Sequence, residues 1–305
     1  MMKLSSSEDG LHQSLEILMT FTKAGQNPGL RDKFQLCVSS MLQHSTAPIN
    51  LHVVGDEESR KIVQDIVEKL PSSDRDKAKL ILHDMEPIAR GVTSLLHDVI
   101  RYFRYSSTSY YGDNLFFISI VLYRLPQFRH IHRIVMLDSD LKFRADVAQL
   151  FSLFDEFDSR QMLGIARDAQ PVYRHIFHQY RRKNPNTKVG DPPPDGLTGF
   201  NSGVLLLDLT KMRQSVEYPR LISPSLLEQL VDKYSFKGHL GDQDFYSLLS
   251  VDYGHLFYVL PCVWNRQLCT WWRDHGYKEV FHLYFRCDGE VKIYHGNCNT
   301  KIPDD

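Results

Sequence analysis

The sequence predicts an α/β protein, one open sheet with helices on both faces, built as a single domain over residues 1–305. Three observations carry this prediction. Apolar runs of strand length alternate with segments of helical spacing through the first half of the chain. Apolar residues make up 42% and charged residues 24%, the profile of an ordinary globular domain. No internal repeat or break in composition divides the 305 residues, which suffice to bury one large core.

The elements follow in order. Leu11–Ala24 has helical spacing and predicts a helix, part of an N-terminal helical segment over about residues 1–30, with "GQNPG" as the breaker after it. "KFQLCVSSML" (Lys33–Leu42) and "INLHVVGDE" (Ile49–Glu57) read as strands around a proline-containing turn, with Cys37 an inert core thiol. Ser59–Leu70 places Ile62, Val63, Ile66, Val67 and Leu70 on one helical stripe, and Ala78–Asp84 is a third strand. Helices are predicted over Thr93–Arg104 and Asp113–Leu125; the latter contains the longest apolar run, "LFFISIVLY". "RIVML" is a strand, and a helix begins near Asp146 before a strand over Gln161–Asp168. Pro171–Gly199 is proline-rich and reads as a long surface excursion, of the kind that is either a functional lid or disordered. A strand over Phe200–Leu209 and helices over Pro224–Tyr234 and Gly241–Ser250 complete the pattern, ahead of a cysteine-containing segment over about 255–305.

Composition excludes some function classes. The net charge is −1, and the densest basic run, "YRRKNP", is short, so no field invites nucleic acid. No apolar run is long enough to span a membrane. The N-terminus lacks the apolar stretch of a signal peptide; taken at face value that means cytosol, and a chain trimmed of its targeting segment would look the same. The cysteines point elsewhere. Cys262, Cys269, Cys287 and Cys298 crowd near the C-terminus without a C-x-x-C pair, which argues against structural zinc; two disulfides in an oxidising compartment are favoured over four free thiols, and three pairings are open.

The chemistry gathers around "HRIVMLDSDLKF" (His132–Phe143). Asp138 and Asp140 follow a strand directly, and in open α/β sheets ligands sit beyond the carboxyl ends of the strands. Residues two apart on an extended chain share a face, so these carboxylates can converge on one hard cation. They can equally cap a turn and the following helix, and the pair alone leaves both meanings open. "FNSGV" and "GDQD" set Asn201 and Asp242 at junctions where side chains project into a cleft, and "KIYHGNCNTKIP" adds His295 and Lys301.

Taken in order, these stretches resemble glycosyltransferase family 8. "VMLDSDLKF" is similar to that family's YLDxD motif, "FNSGVLLLDL" to FNxGv, "GDQDFYSLL" to DQDxlN, "LPCVWNRQ" to LPxxxN and "HGNCNTK" to HxxGxxKPW. The resemblance runs from about Lys33 to Pro303. It implies a single Rossmann-like GT-A domain with a mixed central sheet, binding a nucleotide-sugar and a divalent cation. Carried over by position, Asp138, Asp140 and His295 would hold Mn²⁺ against the donor diphosphate, with Lys301 a second cation there. Asn201, Asp242 and Gln243 would act at the donor sugar. Substrate-binding roles are expected for Asn297, His239, Ser139 and Trp264. Because Gln243 is a poor nucleophile, a front-side substitution is expected rather than a double displacement.

Within the family the likeness is strongest to members of the endoplasmic reticulum that extend O-glucose glycans on Notch-type receptors. That implies UDP-xylose as donor and O-xylosyl-glucosylated EGF repeats as acceptor, joined through an α-1,3 linkage. It also implies a lumenal address and a type II membrane anchor on a segment outside this chain. The alternatives are another family 8 glucosyl- or galactosyltransferase, a haloacid-dehalogenase-type phosphatase using the same acid pair, and a catalytically dead EGF-binding protein. Two departures stand out. Cys298 replaces the family's second glycine and Ile302-Pro303 its Pro-Trp, while "YYGDNLFF" lacks the family's usual basic residue.

Overall fold

The computed structural model describes residues 14–104 and 114–304. Its strands, in chain order, are β1 Leu15–Thr20, β2 Ile49–Gly55, β3 Ala78–Asp84, β4 Arg133–Leu137, β5 Leu141–Phe143, β6 Leu163–Arg167, β7 Phe200–Asp208, β8 Phe257–Leu260, β9 Arg266–Gln267 and β10 Ile293–His295. A seven-stranded sheet runs β3-β2-β1-β4-β7-β6-β8, and a three-stranded sheet runs β5-β10-β9. The large sheet is mixed: β1 is parallel to β2 and β4, whereas β7 is antiparallel to both β4 and β6. Its main helices are α1 Pro28–His44, α2 Glu57–Glu68, α3 Met85–Ile100, α4 Pro224–Tyr234, α5 Asp242–Tyr253 and α6 Lys278–Phe285. Together they make the GT-A arrangement expected from the resemblance.

Alternation along β1 shows how the layers form. Leu18 packs with α3 and α5 residues, including Val92, Leu96, Phe245 and Leu248, while Ile17 and Met19 pack with Phe34, Val38 and Val63 on the other face. The sheet is thus buried on both sides. Among the described residues, no helix is long and apolar enough to cross a membrane.

Two element predictions are corrected. Leu15–Thr20, placed in a helix from its spacing, is the strand β1. It pairs on both edges, so it is apolar almost continuously, and such a run fits either period. The Leu11–Gln13 part of that prediction, with the rest of residues 1–13, lies outside the described residues. Conversely, "KFQLCVSSML" lies in α1. Asn27 caps that helix by accepting from Leu30 N–H, and Pro28 opens it. Phe34, Cys37, Val38, Met41 and Leu42 form its buried stripe. Each such side chain contributes roughly 1.5–3 kcal/mol, more than the ~1 kcal/mol span of strand propensity.

Other predictions shift less. The helix over Asp113–Leu125 is a succession of short turns from Asn114 to Arg124, and Asp113 itself lies outside the described residues. The Pro171–Gly199 excursion is partly core: it carries helices Val172–Ile176 and His178–Lys183, buries Tyr173 and Phe177, and is tied by Arg174 and Arg181 to Asp191 at 2.7 Å. The C-terminal cysteines pair Cys262–Cys287 and Cys269–Cys298, and Cys37 is a free buried thiol as expected.

Candidate metal and donor site

The site forms where the two sheets meet. β4 ends as Asp138 N–H donates to Gly203 O at 2.9 Å, which pins the first acid beside β7. Asp140 opens β5, and β5 pairs antiparallel with β10 in the register Leu141↔His295. Gly296 N–H then donates to Asp140 O at 2.8 Å. This pairing brings a residue from the end of the chain onto the acid pair. One ligand atom from each of Asp138, Asp140 and His295 lies within 4.8 Å of the others. His295 Nε2 stands 3.3 Å from Asp140 Oδ1 and 3.7 Å from Asp138 Oδ2.

The electrostatics are those of a site short of positive charge. Crowding by protein and the adjacent Asp140 charge push the Asp138 carboxyl up to about 6, with His295 pulling the other way. That side chain is 54% open to water, which relieves the crowding and screens the Asp140 charge alike. Burial also opposes the Asp140 charge, but the hydrogen bond and charge of His295, with Lys33 beyond, hold its carboxyl below the ordinary range. Burial works against a charged His295, yet Asp140 and Asp138 raise its pKa. Two carboxylates and a buried imidazole converging this closely fit a divalent ion such as Mn²⁺ in donor type and spacing.

Beside this cluster lie the expected sugar-side residues. Asn201, at the start of β7, donates from Nδ2 to Gln243 Oε1 at 3.1 Å. Gln243 sits in the first turn of α5, half-buried. Asp242 is buried and accepts from Ser119, whose hydroxyl in turn accepts from Tyr246 OH at 3.0 Å. Burial and the Asp138 charge raise its carboxyl to about 7, against hydrogen bonds from Ser119 and Ser202. Gly241 occupies the cap position of α5. Asp244 holds the preceding loop, accepting from Tyr173 OH at 2.9 Å and Leu240 N–H at 2.6 Å.

Other expected positions fall differently. Trp264, expected to bind substrate, is a correction: it is buried in the same apolar cluster as Ile293 and Leu141, which the pairing of β9 with β10 brings against it. Lys301, expected at the diphosphate, is exposed and pairs with Asp304 at 3.0 Å rather than with the acid cluster. The Asn297 side chain caps backbone, accepting from Leu268 and Cys269 N–H at 3.0 and 2.9 Å. His239 is exposed ahead of α5, and Ser139 lies half-buried between the two acids.

Sequence reasoning missed three residues. Lys33, on α1, places Nζ 3.9 Å from Asp140 Oδ2 and donates to Asn299 Oδ1 at 2.7 Å. Reading its segment as a strand hid it. Asp168, 3% exposed at the end of β6, is raised to about 8 by burial, with Asp244 adding to the shift and Gln170 N–H and His295 opposing it. The run "GIARD", an apolar strand ending in an acid like "VMLD", was the available signal. Asn265, the asparagine of "LPCVWN", is 1% exposed and accepts at Oδ1 from His295 Nδ1 at 2.9 Å.

Comparison with known proteins places the chain in a family and a fold. Residues 33–286 match the family model described as "Glycosyl transferase family 8". The chain is 47% identical over 310 residues to xyloside xylosyltransferase 1 of Mus musculus, covering 99% of this chain and 79% of that protein. It is similar to the crystal structure of mouse xyloside xylosyltransferase 1, apo form, with a TM-score of 0.90 and 48% identity over 95% of this chain and 100% of that one. The galactosyltransferase LgtC, solved with donor and acceptor sugar analogs, has the same fold at a TM-score of 0.54 and 17% identity, over 92% of this chain and 86% of that one. The phosphatase reading of the acid pair is set aside by these matches.

Proposed function

The chain belongs to glycosyl transferase family 8, and on that premise we propose that it is a metal-dependent retaining xylosyltransferase. Its donor is UDP-xylose, and its acceptor is the terminal xylose of a xylose-α-1,3-glucose glycan on EGF repeats of Notch-type proteins, extended through an α-1,3 linkage. Support for the sugar comes from relatives of nearly half-identical sequence that carry the name xyloside xylosyltransferase. The observation that carries the reading is the Asp138–Asp140–His295 cluster standing beside the Gln243–Asn201 pair.

In this reading Asp138, Asp140 and His295 hold Mn²⁺. When bound, the ion neutralises charge building on the departing diphosphate. Lys33 contributes positive charge next to Asp140. Asn201 and Gln243 border the donor sugar. Gln243 Oε1 already accepts from Asn201 Nδ2 at 3.1 Å and Ser202 N–H at 3.4 Å, so its oxygen is occupied as well as weakly nucleophilic. This supports a front-side substitution over a covalent glycosyl-enzyme. The bond from the anomeric carbon to the UDP oxygen breaks, the acceptor oxygen bonds to the same face, and its proton passes to the leaving UDP oxygen.

The two disulfides support a lumenal home in the endoplasmic reticulum, where thiols oxidise. Calorimetric titration of UDP with and without Mn²⁺ tests the donor half of the proposal. Binding that requires the ion is expected. UDP binding indifferent to Mn²⁺ and to chelators would overturn it.

A further inference from the structure

A single line of side chains joins the metal-facing histidine to the amide at the donor sugar: His295, Asn265, Asn201 and Gln243. Its polarity is fixed by the backbone. Gly203 N–H donates to Asn201 Oδ1 at 3.1 Å and Ser202 N–H donates to Gln243 Oε1 at 3.4 Å. A backbone N–H only donates, so both contacted atoms are oxygens. Asn201 therefore turns Nδ2 toward Gln243 Oε1. Asn265 meets Asn201 Oδ1 at 2.8 Å, so the group it offers is Nδ2, which also lies 3.4 Å from Asn201 O.

That leaves Asn265 Oδ1 for His295 Nδ1 at 2.9 Å. An oxygen can only accept, so Nδ1 carries the hydrogen, and the neutral ring presents an unprotonated Nε2 to Asp138 and Asp140. At the other end, the doubly engaged Gln243 Oε1 leaves Nε2 as the donating half of that amide, with the Tyr173 hydroxyl as its neighbour. Asn265 is 1% and His295 3% exposed, so no bulk water stands by to replace a lost partner. The Asn265 backbone is itself held, its N–H donating to Cys262 O at 3.0 Å in a turn tied to Cys287.

We propose that Asn265 is a positioning residue that sets, through this polarised chain of amides, both the metal-facing nitrogen of His295 and the orientation of Gln243. The proposal rests on the metal-dependent reading of the site. It makes Asn265 the link by which the ion's ligand and the sugar-side amide are held in one arrangement.

Two substitutions separate the two halves of this role. Asn265→Ala removes both the acceptor for His295 and the donor to Asn201. Mn²⁺ affinity, read from the free-ion electron paramagnetic resonance signal, should fall by about 10- to 100-fold, and kcat should fall with it. Asn265→Asp keeps an oxygen for His295 Nδ1–H but, as a carboxylate, offers no hydrogen to Asn201. Its Mn²⁺ affinity should stay within about threefold of wild type, well short of that range, while kcat drops by at least about tenfold. Asn201→Ala should behave like the aspartate variant, because Asn265 still donates to the Asn201 carbonyl. Nitrogen-15 NMR of the metal-free protein at alkaline pH should show His295 as the Nδ1–H tautomer in wild type and Asn265→Asp, and its loss in Asn265→Ala.

Equal loss of Mn²⁺ affinity in the alanine and aspartate variants would overturn the proposal, as would an unchanged tautomer and affinity in Asn265→Ala. If wild type fails to bind Mn²⁺, the metal-dependent reading falls, and the tautomer comparison still decides the role of Asn265.

Discussion

Gly203 leaves the space that His295 fills: a Cβ on that residue would stand 2.4 Å from Cε1 of the imidazole and 2.8 Å from Nδ1. The ring cannot step aside, because Asn265 holds one edge and the acid pair faces the other. Gly203→Ala is therefore expected to displace His295 while the strand itself survives. Mn²⁺ affinity should fall by at least about tenfold, as when a group supporting a metal ligand is lost. Circular dichroism and Mn²⁺ titration of the same sample check this. Retention of wild-type affinity would show that the close approach is not what glycine serves.

Asp140→Asn keeps shape and removes charge at the acid closest to both His295 and Lys33. Transfer in the presence of Mn²⁺ should fall by at least about 100-fold, beyond the range typical of groups that merely support a ligand. Thermal unfolding should show the fold intact. Normal activity in this variant would sink the metal assignment.

Protons compete with the ion. Asp138 is raised to about 6 and His295 is raised above its ordinary value, and both must shed a proton to act as ligands. Mn²⁺ affinity is expected to weaken as pH falls through about 6, with proton release on binding detectable by calorimetry in buffers of different ionisation enthalpy. Flat affinity between pH 5 and pH 8 would contradict the ligand set.

Stability of the metal-free protein should have the opposite slope from a salt-bridged acid. Asp168 is raised to about 8, so around neutrality the native state holds a proton that the unfolded chain has lost. Its contribution is full below the unfolded value near 4 and is lost as pH rises through about 8. Asp168→Asn should flatten the decline in melting temperature between pH 5 and pH 8. An equally steep decline in that variant would remove Asp168 as its source.

Much of this site is legible in the sequence alone. Asp138, Asp140, Asn201, Gln243 and His295 announce themselves as short polar motifs at the ends of apolar runs, and the fold brings them together. Lys33 and Trp264 are not legible there, for different reasons. A helix bearing Cys37, Val38 and Phe34 carries strand-like residue types, and only the Asn27-Pro28 cap reveals its true period. Whether Trp264 faces a cleft or a core depends on how β9 meets β10, a long-range pairing that local pattern does not encode. The same pairing hides Asn265, whose partners lie 64 and 30 residues away in sequence.

Cys298 shows how a departure from the family pattern is accommodated. It stands where the family has glycine and adopts φ 56°, a left-handed conformation costly for a side chain. Its disulfide to Cys269 holds the loop that follows His295. Breaking that bridge with Cys269→Ser should cost about 2–4 kcal/mol in denaturant unfolding. Adding Cys298→Gly to Cys269→Ser should recover about 1 kcal/mol relative to adding Cys298→Ser.

The most direct test is a donor panel. Purified protein is offered UDP-xylose, UDP-glucose and UDP-galactose, with Mn²⁺ or with chelator, against an EGF repeat bearing the xylose-α-1,3-glucose disaccharide. Product mass and anomeric configuration are then read by mass spectrometry and NMR. The expected result is addition of one xylose, from UDP-xylose alone, in α configuration and only with the metal present. Transfer of a hexose in preference to xylose, an inverted β product, or transfer that survives chelation would contradict the account.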